Sequence, residues 1–214
     1  SSASNNTGLG DSVFAALTSG VNNTAVGYNA MIANTTGSSN AAFGILSLDA
    51  NTTGDYNVAI GQNSLTANTT ADNNTAVGFG SLAANTTGTD NVAVGSGKDT
   101  LELNTTASNN TAVGTAAMQA NSTGASNVAV GTFSLDANTT ASNNTAVGYA
   151  SLSTNTTGSE NVAVGYQALL TATTAANNTA VGMNSLALTT TGANNTAVGK
   201  SSLVSNTTGT FNVA

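Results

Sequence analysis

One five-residue phrase, Asn-[Thr/Val]-Ala-Val-Gly, returns along the whole chain at a fixed interval. It stands as Asn74-Thr75-Ala76-Val77-Gly78, as Asn127-Val128-Ala129-Val130-Gly131 and as Asn144-Thr145-Ala146-Val147-Gly148. Its first residue falls at Asn6, Asn23, Asn40, Asn57, Asn74, Asn91, Asn110, Asn127, Asn144, Asn161, Asn178, Asn195 and Asn212. Neighbours differ by 17, as in 40 − 23 = 17, except once, where 110 − 91 = 19. A period this short predicts a solenoid, because a single unit cannot bury its apolar face alone and must stack on the next.

Counting the motif Asn as position 0 sorts the rest of the coil. Position +2 is Ala in every full repeat from Ala25 to Ala197, position +3 is apolar (Val26, Phe43, Ile60, Val77), and position +4 is Gly from Gly10 to Gly199. Side chains alternate across a strand, so +1 and +3 share one face while 0 and +2 share the other. Small or apolar residues on both faces predict a parallel strand covered on both sides, by the coil interior and by a second sheet or chain. Gly at +4 fits a corner. Leu or Met at +8 (Met31, Leu48, Leu65, Leu82) and Ala at +10 (Ala33, Ala50, Ala67, Ala84) predict a second short strand with both phases inward. Asn-Thr-Thr-Gly, as in Asn34 to Gly37, then supplies the return turn, because Asn and Gly tolerate left-handed backbone. The expectation is all-β: a parallel β-solenoid of about twelve 17-residue coils, two short strands in each, forming one repeat domain over 1–214. The chain starts at Ser1 without Met and stops inside a repeat, so a segment of a longer fibre is expected.

One coil, 91–109, carries a two-residue insertion after Gly95. Leu101 takes the Leu phase there and Leu103 the Ala phase, while Lys98, Asp99 and Glu102 gather charge in a chain of which only 5% is charged. A protruding contact loop and a tolerated surface bulge both fit. A slower rhythm also runs along the chain. Where +1 is Thr the residue at −1 is Asn, as in Asn73-Asn74-Thr75, and where +1 is Val it is something else, as in Glu160-Asn161-Val162.

The chemistry of the residues excludes several functions. His, Cys, Arg, Trp and Pro are absent, which removes Ser-His and Cys-His pairs, disulfides and His-containing zinc sites. No enzyme, cofactor or metal is expected. Asp55 and Asp72 share a phase in adjacent coils, and calcium between them is the only cation site the pattern suggests. Lys98 and Lys200 are the only basic side chains against a net charge of −7, so neither nucleic acid nor an anionic membrane is an expected partner. No stretch has the length and apolarity of a transmembrane helix.

Asn-x-[Ser/Thr] tripeptides are dense. Asn34, Asn51, Asn68, Asn85, Asn104, Asn121, Asn138, Asn155 and Asn206 fit in the return turn, and Asn5, Asn22, Asn73, Asn109, Asn143, Asn177 and Asn194 fit before the first strand. On a turn facing solvent the first set would accept glycans. If the same Asn stack from coil to coil, their amides form a ladder instead, interrupted at Ala172 and Thr189.

The repeated motif resembles the head repeats of trimeric autotransporter adhesins of the YadA-like type, where a similar Asn-Ser-Val-Ala-Ile-Gly phrase builds a left-handed parallel β-roll packed as a trimer. Asn57-Val58-Ala59-Ile60-Gly61 is the nearest copy, and the 17-residue coil is longer than the usual head repeat. Asn-Thr-Ala-Val-Gly and Asn-Thr-Thr-Gly also resemble repeats of phage tail-fibre and bacterial surface-fibre proteins. The resemblance implies a non-catalytic extracellular or cell-surface fibre segment, structural or adhesive. It would self-associate as a homotrimer or head to tail, and meet host or surface glycans. The alternatives are a phage tail-fibre shaft and an ice-binding solenoid whose Thr at +12 and +13 form ranks.

Overall fold

The computed structural model describes residues 3–96 and 99–214 of the 214-residue chain. It is an all-β parallel β-solenoid with the expected 17-residue spacing, and among the described residues there is no helix. The chain divides into two units, Ser1–Asn109 and Asn110–Ala214. The first holds β1 (Thr7–Leu9), β2 (Thr24–Val26), β3 (Ala41–Phe43), β4 (Val58–Ile60), β5 (Thr75–Val77) and β6 (Val92–Val94). The second holds β7 (Thr111–Val113), β8 (Val128–Val130), β9 (Thr145–Val147), β10 (Val162–Val164), β11 (Thr179–Val181) and β12 (Thr196–Val198). Within each unit the strands follow chain order and pair in parallel, phase on phase: Ala42 with Ala59, Ala59 with Ala76, Ala129 with Ala146 and Ala146 with Ala163.

Each strand ends after three residues because of the Gly that follows. Gly27 has φ 136°, and a Cβ built on it would stand 2.4 Å from the carbonyl oxygen of Gly44 in the next coil. Close backbone approach and positive φ together admit only Gly, and the chain turns there.

The second segment is not the strand that the Leu/Ala alternation suggested. It is a run of turns in which positions +6 and +8 are left-handed: Leu46 and Leu48 have φ 55° and 52°, Phe133 and Leu135 have φ 55° and 52°. Left-handed residues break the two-residue alternation of a strand. Neighbouring positions +7 and +8 therefore both point inward, as Ser47 and Leu48 or Ser134 and Leu135 do, and the Ala at +10 is only half-buried. The backbone of this segment still bonds to adjacent coils. The Leu48 N–H donates to the Ser64 carbonyl at 3.0 Å, and the Leu46 N–H to the Tyr28 carbonyl at 3.0 Å. A non-Gly residue in left-handed geometry costs about 1–2 kcal/mol. Burial of the Leu side chain, about 1.5–3 kcal/mol, offsets it.

The interior is narrow. Ala at +2, Leu or Met at +8, and the Asn at 0 and at +11 fill it, and Ala59, Leu65, Asn57 and Asn68 have no exposed surface. In the irregular coil, Gly97 and Lys98 lie outside the described residues, so the charged cluster is described only at Asp99 and Glu102. Leu101 takes the +8 place, buried and left-handed at φ 49°, and Thr100 takes the inward +7 place. Leu103 is not inward as expected. It is half exposed, as the +10 phase is throughout.

Candidate interaction surface and the buried asparagine rows

Two files of Asn run inside the coils, and their amides do different work. In the row at position 0, each side-chain oxygen accepts the backbone N–H of the next motif Asn: Asn40 N–H to Asn23 Oδ1 at 2.9 Å, Asn57 N–H to Asn40 Oδ1 at 2.8 Å, Asn161 N–H to Asn144 Oδ1 at 3.0 Å. Each Nδ2 crosses the coil to the carbonyl at +14, as Asn57 does to Ala71 at 2.8 Å and Asn144 to Gly158 at 3.0 Å. The row therefore closes each coil on itself and ties it to the next.

In the row at +11 the amides form a side-chain ladder. Nδ2 of Asn51 donates to Asn34 Oδ1 at 3.0 Å, Asn68 to Asn51 at 3.0 Å, Asn85 to Asn68 at 3.1 Å and Asn104 to Asn85 at 3.0 Å. The second proton of each goes to the +14 carbonyl of its own coil, as from Asn68 to Ala71 at 3.0 Å. Buried amides left unpaired would cost about 1–3 kcal/mol each, and the ladder removes that cost.

This geometry corrects the placement of the return-turn sequons. Asn34, Asn51, Asn68, Asn85, Asn104, Asn121, Asn138 and Asn155 have no exposed surface. They point into the coil, and a sugar on Nδ2 has no space there. Asn206, in the last full coil, is half-buried and donates to the Gly209 carbonyl at 3.1 Å. What faces outward on the turn is the Thr at +13, exposed at Thr36, Thr53, Thr140 and Thr157. The Thr at +12 is half-buried, and its hydroxyl donates to the next coil, as Thr35 Oγ1 does to the Thr52 carbonyl at 2.9 Å.

The carboxylates singled out in the sequence have structural partners. Asp55 Oδ1 accepts the Ser38 N–H at 2.6 Å, and Asp72 Oδ1 accepts the Asp55 N–H at 2.7 Å. Ser at the same phase does likewise: Ser142 Oγ accepts the Ala125 N–H at 3.0 Å. Sequence reasoning missed this third file, although the short oxygen-bearing side chains at −2 were its signal. Among the described residues, no three His, Cys, Asp or Glu side chains gather in a way that would hold a metal.

No family model, curated protein or solved structure matches this chain. Its surface must be read from its own residues.

The outer face of the strands carries apolar side chains in both units. Position +3, expected inside or at an interface, lies on this outer side, half covered by its neighbours: Phe43 is 40% and Ile60 41% exposed. Position +1 beside it is Thr or Val, apart from Ala41, with Val128 and Val162 partly exposed. Position +5 adds larger side chains at the corner, Tyr28, Ile45 and Phe79 in the first unit and Tyr149, Tyr166 and Met183 in the second. There Phe133 meets Tyr149 edge-on at 6.0 Å between centroids, and Tyr149 stacks on Tyr166 at 5.5 Å. No helix among the described residues is long and apolar enough to cross a membrane.

Proposed function

We propose that this chain is a non-catalytic segment of an extracellular or cell-surface fibre, structural or adhesive, whose copies associate through the outer strand face. The observation that carries the reading is the row of Val, Phe and Ile at +3, flanked by Val at +1. An apolar row repeated from strand to strand within a unit is the kind of exposed patch that marks an interaction surface. The low charge of the chain puts little electrostatic repulsion between copies. Surface glycans are the partner class for an adhesive role. Sedimentation equilibrium tests the association: the native chain is expected to run as an oligomer, and Phe43→Ser with Ile60→Ser as a monomer with an unchanged circular dichroism spectrum. A native monomer at high concentration refutes it.

The exposed Thr file at +13 favours a second reading, an ice-binding solenoid. In most coils only one Thr of the pair faces out, so the file is a single rank wide there. Thermal hysteresis of the purified chain tests it, and its absence removes this reading.

A further inference from the structure

The two families of Asn-x-Thr tripeptide are built in opposite senses. In the return turn the Asn is inside and the second Thr outside. Before the strand the first Asn faces outward as well as the Thr. Asn22, Asn73, Asn143 and Asn177 are exposed, the middle Asn is buried, and Thr24, Thr75, Thr145 and Thr179 are half exposed on the outer strand face. The tripeptide thus presents its amide and its hydroxyl outward and spends only its middle residue on the core.

The backbone fixes this presentation. Asn22, Asn73, Asn143 and Asn177 are left-handed, with φ 61°, 60°, 62° and 59°, a geometry that Asn tolerates well. Their N–H groups are held by the preceding coil, as Asn73 by the Asp55 carbonyl at 3.1 Å and Asn143 by the Ala125 carbonyl at 3.1 Å. Asn22 accepts a weak side-chain bond from Asn5 Nδ2 at 3.2 Å, which leaves the Asn22 Nδ2 protons to solvent. Sites in one file are separated by whole coils: 177 − 143 = 34 residues is two coils, roughly 10 Å at one strand spacing per coil. Asn194 lies one coil beyond Asn177 and presents the same tripeptide.

We infer that the glycan acceptors of this chain are the pre-strand Asn22, Asn73, Asn109, Asn143, Asn177 and Asn194. The step is attack of Nδ2 on the anomeric carbon of a phosphate-activated sugar, catalysed by a separate transferase. A carbon–nitrogen bond forms, the carbon–oxygen bond to phosphate breaks, the phosphate leaves with the electron pair, and the amide gives up one proton. The inference does not rest on association of copies, since the mass of a single chain reads it.

The test is peptide mapping by mass spectrometry of the chain purified from the cells that produce it. A non-specific protease is needed, because Lys98 and Lys200 are the only tryptic sites. Sugar increments are expected at Asn22, Asn73, Asn109, Asn143, Asn177 and Asn194, and none at Asn51, Asn68, Asn138 or Asn155. The size of the increment separates a single sugar from a preassembled chain. Bare peptides throughout, or sugar on the inner row, overturn the inference. Asn143→Gly keeps the left-handed backbone and is expected to lose one increment from the intact mass with no change in melting. An unaltered glycan mass in that variant removes the Asn143 assignment.

Discussion

The two units carry the same coil but not the same ladder. From Asn34 to Asn104, in the first unit, every coil supplies an Asn at +11 and every amide finds the next. In the second unit the ladder runs from Asn121 through Asn138 to Asn155 and stops, because Ala172 and Thr189 follow. The break leaves no obvious defect. Asn155 Oδ1 turns to the Gly158 N–H at 3.2 Å, Ala172 brings no polar atom, and Thr189 Oγ1 donates to the Asn206 carbonyl at 2.9 Å. Thr154 and Thr171 stand at the +10 place that Ala holds in most coils of the first unit, and their hydroxyls donate to the Leu170 and Ala187 carbonyls at 2.8 and 2.9 Å, with the Ala172 and Thr189 carbonyls next nearest. Backbone bonds between coils continue across the break, as from Thr156 N–H to the Thr173 carbonyl at 2.9 Å. The backbone therefore sets the coil, and the +11 ladder adds to a shape that stands without it.

The row at position 0 has no such break, and the comparison says why. Its oxygen accepts a backbone N–H, which a change of side chain cannot redirect. Asn144→Leu would orphan the buried Asn161 N–H at about 1–3 kcal/mol, while the Gly158 carbonyl keeps its bond from Asn155, and the larger Leu would overpack the narrow interior by about 1–3 kcal/mol more. A loss of about 2–6 kcal/mol in urea unfolding is the largest effect expected of any single change here. A loss below 1 kcal/mol would show that position 0 is as dispensable as +11.

Asn68→Ala copies the natural break into the intact ladder. The Ala71 carbonyl keeps its bond from Asn57, so only the Asn51 oxygen and one Asn85 proton lose partners. The expected cost is about 1–2 kcal/mol, smaller than at position 0. The converse change, Ala172→Asn, places an amide where Asn155 Oδ1 and the Ala175 carbonyl can both accept it. It is expected to stabilise by about 0.5–1.5 kcal/mol. Destabilisation would mean that the coil has closed around Ala172.

Much of this architecture was legible in the sequence because it repeats in register: the strand phase, the Gly corner, the inward Leu and the stacking of Asn. What was not legible is conformation carried by unexpected residue types. Leu48, Phe133 and Ala150 are left-handed, a geometry associated with Gly and Asn, so their alternation with neighbours looked like a strand. Only the stacked coils, which bond their backbone on both sides, hold them there. The outward or inward sense of each Asn-x-Thr was hidden for the same reason. It depends on whether the first Asn of the three is left-handed, as Asn22 and Asn143 are, or not, as in the return turn, and composition does not report that. Glu160→Gly sharpens the point. Glu160 is left-handed at φ 62°, so Gly there removes steric strain and is expected to raise stability by up to about 1 kcal/mol. A loss would mean that the flexibility Gly gives the unfolded chain outweighs the strain it relieves in the coil.

The smallest expected effect again comes from one phase compared across the two units. At +9, Asp49 in the first unit accepts the hydroxyl of Thr66 in the next coil. Asp136 in the second has one buried carboxylate oxygen, Oδ1, without a partner. Burial pushes the Asp136 carboxyl above the usual carboxylate range, and the Ser153 hydroxyl with the backbone N–H groups of Asp136 and Ala137 only partly counters it. A raised folded pKa means that the folded chain holds its proton more tightly than the unfolded one. Stability from this group is therefore fully present below the ordinary carboxylate range and is lost as pH rises through the raised value. Melting of the native chain is expected to fall slightly over that window. Asp136→Asn, which keeps the shape without the charge, is expected to melt higher than the native chain at neutral pH and equally at acid pH. A variant that matched the native chain at both would place the cost of Asp136 elsewhere than in its charge.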